Sequence, residues 1–395
     1  MKICGIVCEY NPFHNGHRYL IDECRRLLGE NSAVVCAMSG DFTQRGEAAA
    51  YMKHDRARAA VAGGADLVLE LPLPWSLGGA ETFARGAVGL LGATGIVTHL
   101  CFGSESGDLP LLRTTAETLL RPELDALLRA AMADGTPYAP ARQKAVETLT
   151  GKPAAALTQP NDILAVEYLK TLARQGLSME PVAVCRRGAG HDTAEESEIP
   201  SASLLREKLR AGESIRPWMP EKAFAALEEG EGPVDPTVIE TALLSRLRFL
   251  PEAAFAAAPD VSEGLENRIY RAVRTEPTTE AIVEAASGRR YPKARIRRIC
   301  ACAALGVRAA DAAGIPPYLR VLAANERGLA LLRGMEGHAG LPVLTKPAHV
   351  RELGERAERV FTLGAGAADL CALGLCSSAQ RAGERDWRST PVILK

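Results

Sequence analysis

The sequence predicts an α/β protein with a Rossmann-like parallel-sheet domain, followed by a mainly α-helical domain. Short apolar runs alternate with segments of helical periodicity through the first half of the chain, and polar or Gly-rich residues follow the runs. Beyond residues 217–220 the composition changes to mostly Ala, Leu, Arg and Glu at helical spacing. Strands separated by helices form right-handed βαβ units and a parallel sheet. We therefore expect one domain over residues 1–219 and a second over residues 220–395.

Ile3 to Cys8 is the first of five short apolar runs that suit buried parallel strands. The others cover residues 33–38, 66–71, 98–102 and 181–185, and helical spacing recurs between the first four runs. Ligands of such sheets bind at the carboxyl ends of the strands. The sequence therefore predicts a binding rim at the dipeptides that follow the runs, which are Asn11-Pro12, Gly40-Asp41, Gly103-Ser104 and Arg186-Arg187.

The composition is that of an ordinary globular protein. The 395 residues are 47% hydrophobic and 24% charged, with a formal net charge of -1, so an RNA partner would have to meet a local basic patch. We recognise no export signal and no apolar stretch of roughly 18 residues, so we expect a cytoplasmic protein without a membrane partner. The ten cysteines form no CxxC pair, which predicts reduced, mostly buried thiols and no metal site.

The segment from Asn11 to His17, which reads NPFHNGH, carries the strongest catalytic signal. It follows a buried strand directly and opens an amphipathic helix, whose free N–H groups and partial positive charge suit an anion. His14 and His17 are three residues apart and share one side of the first turn. Gly16 lets a bulky ligand approach the backbone. Two imidazoles beside a phosphate can donate hydrogen bonds to the charge of a pentacoordinate transition state.

Other interpretations of these residues remain open. His14 and His17 also fit a metal pair, although no third ligand is evident from the sequence, or an ordinary helix cap with surface histidines. A bare HxGH match favours the helix cap, whereas its position after the first strand of a βαβ pattern favours a phosphate site. Asp41 fits equally well a polar group at the rim and a turn residue that caps the next segment.

Pro200 to Arg206 form a second candidate element near the end of the same predicted domain. Ser201, Ser203 and Arg206 stand at the start of a helical stretch, where hydroxyls and a guanidinium can hold the β and γ phosphates of a nucleotide. Alone, this segment is typical of a helix N-cap with a surface arginine. Together with HxGH in one parallel-sheet domain, it predicts the second half of a triphosphate site.

These two elements resemble the HxGH and ISSTxxR signatures of the nucleotidylyltransferase superfamily, with Pro200 and Ala202 in place of the expected Ile and Ser. The wider pattern is similar to the bacterial tRNA(Met) cytidine acetate ligase family over nearly the whole chain. Residues 5–17 and 39–47 carry the longest and most specific similarity. The shorter segments are Phe102–Glu105, Pro160–Asp162 with Glu167–Leu169, and Arg186–Gly188 with His191-Asp192.

The resemblance implies an ATP-dependent ligase that works in two steps. Acetate attacks the α-phosphate of ATP to give acetyl-adenylate and pyrophosphate, and the N4 amine of the wobble cytidine of elongator tRNA(Met) then takes the acetyl group. By this resemblance the catalytic residues are His14, His17, Ser203 and Arg206, with Mg²⁺ bound through the phosphates. The implied nucleotide-binding residues are Val7, Cys8, Glu9, Tyr10, Asn11, Pro12, Phe13, His14, Asn15, Gly16, His17, Arg18, Tyr19, Leu20, Gly103, Asn161, Arg186, Arg187, Ser201, Ser203 and Arg206.

A basic cluster in the predicted helical domain is the candidate RNA contact. No acid interrupts residues 289–298, and on a helix Arg295 and Arg298 share a face that Ile296 does not. Its cations can neutralise phosphates and Tyr291 can stack on a base, although a solvated helix face has the same pattern. The residues expected to bind RNA are Arg289, Arg290, Lys293, Arg295, Arg297 and Arg298.

Two other functions fit parts of the sequence. One is an adenylyltransferase or ligase that acts on a small metabolite, and the helical half and the basic cluster weigh against it. The other is a non-catalytic RNA-binding protein, and the retained His14, His17, Ser203 and Arg206 weigh against that. The oligomeric state, the acetate pocket and the base-reading residues are not predicted by the sequence.

Overall fold

One eight-stranded sheet organises the protein. The computed structural model describes residues 1–133, 135–187, 200–262 and 264–395. Within that part of the chain the strands are β1 Ile3–Cys8, β2 Ala33–Ser39, β3 Leu67–Leu71, β4 His99–Ser104, β5 Glu180–Cys185, β6 Leu319–Ala324, β7 Val343–Leu344 and β8 Val392–Ile393. The first five lie where the apolar runs predict them, so the parallel-sheet prediction is confirmed.

The strand order places β1 at a reversal of the chain's path. The order is β5-β4-β1-β2-β3-β6-β7, with β8 also paired to β6. β1 pairs in parallel with β2 on one side and with β4 on the other. The chain builds outward from β1 through β2 and β3, and then crosses to β4 and β5. Such a switch point opens a crevice at the carboxyl ends of the neighbouring strands, where ligands of open α/β sheets bind.

Helices make up most of the remaining described chain. They are α1 Asn15–Leu28, α2 Lys53–Ala62, α3 Leu73–Ser76, α4 Ala80–Ala93, α5 Leu109–Thr118, α6 Leu124–Ala133, α7 Tyr138–Thr150, α8 Pro160–Gln175, α9 Ala202–Arg210, α10 Glu221–Glu228, α11 Pro236–Phe249, α12 Glu252–Ala256, α13 Leu265–Thr275, α14 Thr279–Ala286, α15 Lys293–Leu305, α16 Glu326–Met335, α17 Glu355–Ala372 and α18 Arg385–Arg388. None of these described helices is both long enough and apolar enough to cross a bilayer.

Alternate residues of the central strands pack into two separate hydrophobic cores, one on each face of the sheet. In β2, Val35 and Ala37 belong to the core that α4 and α8 cover, whereas Val34 and Cys36 belong to the core on the opposite face, under α1 and α2. All four side chains are fully buried. A strand buried on both faces is apolar at every position, which is why the strands of this sheet read as continuous apolar runs.

The C-terminal half contains a third core and also returns to the sheet. α11, α13, α14, α15 and α17 pack around residues such as Ile269, Ile282 and Ile299. β6 then adds to the sheet edge antiparallel to β3, which the sequence did not predict. The mainly helical character of the second half agrees with the prediction, but its last strands belong to the first sheet. A domain boundary at residue 219 stays a prediction.

A buried group of charged side chains joins the end of the described chain to this sheet. Lys53 Nζ lies 2.9 Å from Glu70 Oε1 and also contacts the Asp386 carboxylate. Arg320 Nη1 lies 2.9 Å from Glu70 and 2.8 Å from Asp386. Burial opposes ionisation of Asp386, but the charges of Arg320 and Lys53 outweigh it and hold the pKa of that carboxyl well below its usual range. Lys53 Nζ also lies 3.5 Å from the buried Asp41 carboxylate in the loop after β2. Two cations and three carboxylates therefore compensate one another in the core.

We expect Asp386→Asn to lower the free energy of unfolding by about 3–5 kcal/mol, because it removes the buried carboxylate that both Lys53 and Arg320 contact. The depressed pKa of Asp386 means that its contribution is present at neutral pH and is lost as the pH falls below the unfolded value of about 3.9. Urea denaturation at pH 7 measures the loss. The control is Arg388→Gln, which breaks an exposed ion pair with Glu384 and should change stability little. Equal losses in both variants would contradict a stabilising role for the network.

Candidate active site

The turn between β1 and α1 places two histidines at a helix N-terminus. Tyr10 has φ 46°, and the Asn11-Pro12 peptide is cis. His14 is the N-cap of α1, and its Nδ1 accepts a hydrogen bond of 3.0 Å from the Gly16 amide. His17 is the third residue of the helix, and its Nδ1 accepts a 3.2 Å hydrogen bond from the His14 amide. The helix-cap interpretation and the phosphate-site interpretation of these residues are therefore compatible.

Those two hydrogen bonds fix the tautomers of both rings. A neutral imidazole whose Nδ1 accepts a hydrogen bond carries its proton on Nε2. The ring centroids of His14 and His17 are 3.8 Å apart, and Tyr10 meets the His17 ring edge-on at 4.8 Å. Within the described chain neither Nε2 has a hydrogen-bond partner, and both rings line a cavity. The pair therefore offers two N–H donors to a ligand.

Burial keeps both imidazoles neutral. It lowers the pKa of His14 from 6.5 to about 3, with further lowering by the nearby Arg186 and Arg206 charges. Burial also lowers the pKa of His17 well below 6.5, helped by His14 and Arg186. Neither ring therefore acts as a cation near neutral pH. Their contribution to an anion is hydrogen-bond donation rather than net charge.

The second predicted element lies against the first. Ser201 is the N-cap of α9, and its Oγ accepts from the Leu204 amide at 3.2 Å. Arg206 reaches back to the β1–α1 turn, where its Nη1 donates to the Asn11 carbonyl oxygen at 3.1 Å. Its Nη2 donates to Ser203 Oγ at 3.2 Å, and its buried Nε has no partner in the described chain. The fold therefore brings the two sequence motifs to one side of the cavity.

The ends of β4 and β5 supply the other side. Arg186 Nη1 lies 3.5 Å from Asn161 Oδ1, and the Asn161 side-chain amide donates to Glu105 at 2.6 Å. Gly103 leaves room for this arginine, because a Cβ at that position would lie 3.3 Å from Arg186 Cγ. Arg187 stacks its guanidinium over the Tyr19 ring at 4.9 Å. Glu105 thus orients an asparagine and an arginine that the sequence predicted as nucleotide contacts.

The cavity between these elements has a volume of about 230 Å³ and a positive lining. Glu9 is the only acid among the described lining residues, and burial raises its pKa. The lining cations are Arg45, Arg186, Arg187 and Arg206. An excess of fixed positive charge, together with two neutral donors and a helix N-terminus, suits a polyphosphate.

Most of the predicted nucleotide-binding residues line this cavity, and four do not. Those that line it are Val7, Cys8, Glu9, Tyr10, Asn11, His14, Gly16, His17, Tyr19, Leu20, Gly103, Asn161, Arg186, Arg187, Ser201, Ser203 and Arg206. Pro12, Phe13, Asn15 and Arg18 are not part of the lining. Phe13 is buried against the Tyr10 ring, and Arg18 is bound to the Asp22 carboxylate.

The loop after β2 supplies residues that the site prediction omitted. Thr43, Gln44 and Arg45 line the cavity, and the backbone amide of Gln44 donates to Glu9 Oε1 at 2.7 Å. These residues belong to the segment 39–47 that carried the family resemblance, so the signal was available in the sequence. Asp41 has the turn role instead, since its Oδ1 accepts from the first backbone amide of α2 at 2.7 Å.

Arg56 is a further residue that the sequence did not single out. It is fully buried, and its guanidinium donates to the backbone carbonyl oxygens of Glu9 at 2.5 Å and Ser39 at 3.1 Å. It also donates to the Gly40 carbonyl oxygen. The carboxyl ends of β1 and β2 are thereby fixed to each other beneath the cavity. Arg56 positions the site without lining it.

The cations of the predicted RNA-binding cluster differ in whether they have partners. Four of its six cations contact acids or backbone oxygens: Lys293 meets Glu284, Arg295 meets the Asp260 carbonyl oxygen, Arg297 meets Glu280 and Glu47, and Arg298 lies 3.9 Å from Asp260. Arg289 and Arg290 are exposed and have no hydrogen bond or ion pair in the part of the chain that the structure describes. The run is basic along the sequence, but three of its six cations, Lys293, Arg297 and Arg298, are paired with acids in space.

Eight of the ten cysteines are buried, as predicted. Cys4, Cys24 and Cys101 come together under α1, and their sulfur atoms lie within 4.8 Å of one another. Their spacing in the sequence gives no sign of this, because the cluster forms only when β1, α1 and β4 pack. Gly188, His191 and Asp192, which shared in the family resemblance, lie outside the described residues.

The fold and the site define a nucleotidyl transferase. A family model described as HIGH Nucleotidyl Transferase matches residues 1–386. The chain is similar to solved structures of Thermotoga maritima TmcAL: the apo form has a TM-score of 0.94 at 32% identity, and a form bound with alpha-thio ATP has a TM-score of 0.91 at 31% identity. Both matches cover 100% of each chain.

Curated relatives narrow the class to one family. The tRNA(Met) cytidine acetate ligase of Acetivibrio thermocellus is 36% identical over 88% of each chain. The protein of the same name from Alkaliphilus metalliredigens is 33% identical, over 100% of this chain and 99% of its own. The chain therefore belongs to the tRNA(Met) cytidine acetate ligase family within the HIGH nucleotidyl transferases.

We expect ¹⁵N NMR of the folded protein to find His14 and His17 as neutral Nε2–H tautomers from pH 8 down to about pH 5, because burial keeps their pKa values below the usual 6.5. Unfolded histidines take up protons below about pH 6.5, so the stability tied to these neutral rings is complete above that pH and is lost as the pH falls further. Protonation of either folded ring with a midpoint near 6.5 would contradict this account.

Proposed function

We propose that this chain is an ATP-dependent tRNA(Met) cytidine acetate ligase. Acetate displaces pyrophosphate from the α-phosphate of ATP, and the acetyl group of the resulting acetyl-adenylate passes to the N4 amine of the wobble cytidine of elongator tRNA(Met). AMP leaves as the acetyl C–O bond breaks and the C–N bond forms, and the amine gives up one proton to the solvent. The observation that carries this proposal is the placement of both nucleotide motifs on one positively lined cavity at the switch point of the sheet.

His14 and His17 act on the α-phosphate as neutral donors. Their Nε2–H groups stand at the N-terminus of α1, whose partial positive charge adds to their effect. As the phosphorus becomes pentacoordinate, charge grows on its equatorial oxygens, and donors held in advance stabilise that charge without reorganising. Because both pKa values are low, the rings hold their protons at this stage and do not exchange them with the reactants.

Arg206 and the two serines hold the leaving pyrophosphate. Arg206 is already directed by Asn11 and Ser203, and its unpartnered Nε gives it a remaining donor. Ser203 and Ser201 add hydroxyls at the start of α9. Arg45 extends the positive lining toward the loop after β2. A guanidinium is charged throughout the physiological pH range, so the pyrophosphate is stabilised wherever the enzyme works.

Mg²⁺ fits this site through the phosphates rather than through a protein cage. Glu9 is the only carboxylate among the described lining residues, and it already accepts a hydrogen bond from the Gln44 amide. A magnesium ion ordinarily keeps several waters and takes one or two carboxylates plus phosphate oxygens. When bound with ATP it would neutralise charge on the phosphates that Arg206 and the histidines also contact.

The nucleoside is held at the opposite end of the cavity. Gly103, Asn161 and Arg186 supply a close backbone approach, an amide and a guanidinium, and Arg187 adds a second cation at the rim. Glu105 orients this group through Asn161. The second half of the chain, residues 220–395, contributes to tRNA binding. Within the predicted RNA-binding cluster of this half, Arg289 and Arg290 have no ion-pair partner in the described chain.

The test of this function is pyrophosphate release from purified protein with ATP and Mg²⁺. Release that requires acetate, followed by transfer of labelled acetyl to cytidine of tRNA, supports the ligase. Release that requires a different small acceptor and never depends on tRNA would favour a metabolite adenylyltransferase. ATP binding without release under any combination would point to a binding protein.

We expect His17→Asn to lower acetate-dependent pyrophosphate release by about 100- to 1,000-fold, because it removes one preorganised donor. Asparagine retains an acceptor near the Nδ1 position and so preserves the contact with the His14 amide. His17→Gln, which places an amide N–H near the Nε2 position, should retain more activity than His17→Asn. The exposed His338→Ala is the matched control. Near-normal turnover of His17→Asn would remove His17 from the mechanism.

A further inference from the structure

Helix α13 carries a row of arginines on its outer surface. Arg268, Arg271 and Arg274 follow one another at three-residue spacing, so they lie along one side of the helix over about 9 Å of its axis. The opposite side buries Leu265 and Ile269 in the helical core. We call Arg268, Arg271 and Arg274 the arginine stripe.

The charges of the arginine stripe are not neutralised within the described chain. Arg268 donates to the carbonyl oxygens of Ala285 and Ser287, and Arg274 donates to the carbonyl oxygens of Arg248 and Leu250. A carbonyl oxygen orients a guanidinium but does not cancel its charge. Arg271 is exposed, and its guanidinium has no hydrogen-bond or ion-pair partner in the described part of the protein.

The stripe differs in this respect from the neighbouring start of α15. There Lys293, Arg297 and Arg298 meet Glu284, Glu280 and Asp260, so the face of α14 and α15 is of mixed charge. Arg289 continues the unpaired positive surface instead, because the turn that holds it is bound to α13 through Arg268 and the Ser287 carbonyl oxygen. An exposed positive surface without acidic partners in the described chain therefore runs along α13.

An exposed aromatic ring stands at the far end of the stripe. Phe249, the last residue of α11, is 88% exposed. Its chain neighbours are tied to the stripe, since Arg274 bonds the carbonyl oxygens on both sides of it, at Arg248 and Leu250. Arg248 donates in turn to the Glu276 carbonyl oxygen and keeps its charge. An isolated aromatic ring flanked by unneutralised arginines suits an unpaired nucleobase next to phosphates.

We propose that the arginine stripe, extended by Arg289 at one end and Phe249 at the other, binds the tRNA substrate, with the arginines on backbone phosphates and Phe249 stacked on an unpaired base. The proposal rests on the tRNA ligase function proposed above and names the surface that holds the tRNA. The sequence placed the RNA contact at residues 289–298; this proposal keeps Arg289 from that cluster and adds the exposed face of α13.

The stripe is connected rigidly to the catalytic cavity. α13 packs on α14, and α14 packs on α15. The start of α15 lies against the loop after β2, where a Cβ on Gly46 would come within 2.7 Å of the Arg298 backbone nitrogen. Arg297 also reaches Glu47 of that loop at 3.6 Å. Because the same loop supplies Thr43, Gln44 and Arg45 to the cavity, a tRNA held on α13 has a fixed position relative to the acetyl donor.

The test measures binding of an elongator tRNA(Met) transcript at several salt concentrations. Phe249→Ala should weaken binding by about 5- to 100-fold, because stacking on one base is lost. Arg271→Gln combined with Arg289→Gln should weaken binding and reduce the slope of log affinity against log salt by about one per arginine. Arg113→Gln combined with Arg333→Gln removes the same charge from exposed sites on α5 and α16, and should leave the slope unchanged.

Failure of this proposal is distinct from failure of the proposed function. Unaltered affinity and slope in Phe249→Ala and in the Arg271/Arg289 variant would overturn the stripe, even if the protein releases pyrophosphate with acetate. Conversely, a protein that binds tRNA through the stripe but never releases pyrophosphate would retain this proposal and lose the ligase. Phe249→Trp is the complementary variant. Its larger ring should preserve or strengthen the stacking that Phe249→Ala removes, and so keep or raise the affinity for the tRNA.

Discussion

Two backbone amides at the start of α1 determine the chemistry of the cavity. Each donates to the Nδ1 atom of an imidazole, so His14 and His17 are held as N–H donors. Burial has the same effect, because it lowers the pKa of both rings and so disfavours their protonated forms. The positive charge that a triphosphate requires comes instead from arginines, which include Arg45, Arg186 and Arg206 from separate parts of the chain. Hydrogen-bond donation and net charge are thus assigned to different residues, and neither depends on a proton that titrates near neutral pH.

The cavity depends on α2, because this helix holds the carboxyl ends of two strands together. Arg56 binds carbonyl oxygens at the carboxyl ends of β1 and β2 and so satisfies buried backbone acceptors there. One turn earlier on the same helix, Lys53 enters the buried charged network with Glu70 and Asp386. The edges of the nucleotide cavity and the return of the C-terminal half to the sheet are therefore joined through a single short helix.

Sequence patterns predicted what local periodicity can encode. The first five strands, the histidine turn and the serine–arginine element were all predictable, because each depends on neighbouring residues. β6 was not predictable, because it joins β3 across some 250 residues and lies in a segment of helical composition. The pairing of Lys293, Arg297 and Arg298 with acids was hidden for the same reason, since their partners include Glu47 and Asp260 from other segments. Arg56 was hidden because its partners are backbone carbonyls, which leave no mark in the sequence.

The place of Asp386 has a consequence for biosynthesis. This carboxylate completes a buried network whose other members, which include Lys53, Glu70 and Arg320, leave the ribosome much earlier. Until residue 386 emerges, Lys53 and Arg320 lack the carboxylate that they share, and the pairing of β6 with β3 is stabilised less. The first half of a nascent chain can therefore collapse on its apolar strands, but the buried network beside its cavity is complete only after residue 386 has emerged. Segment-by-segment folding during translation cannot complete this part of the sheet, because it needs a contact between residues 53 and 386.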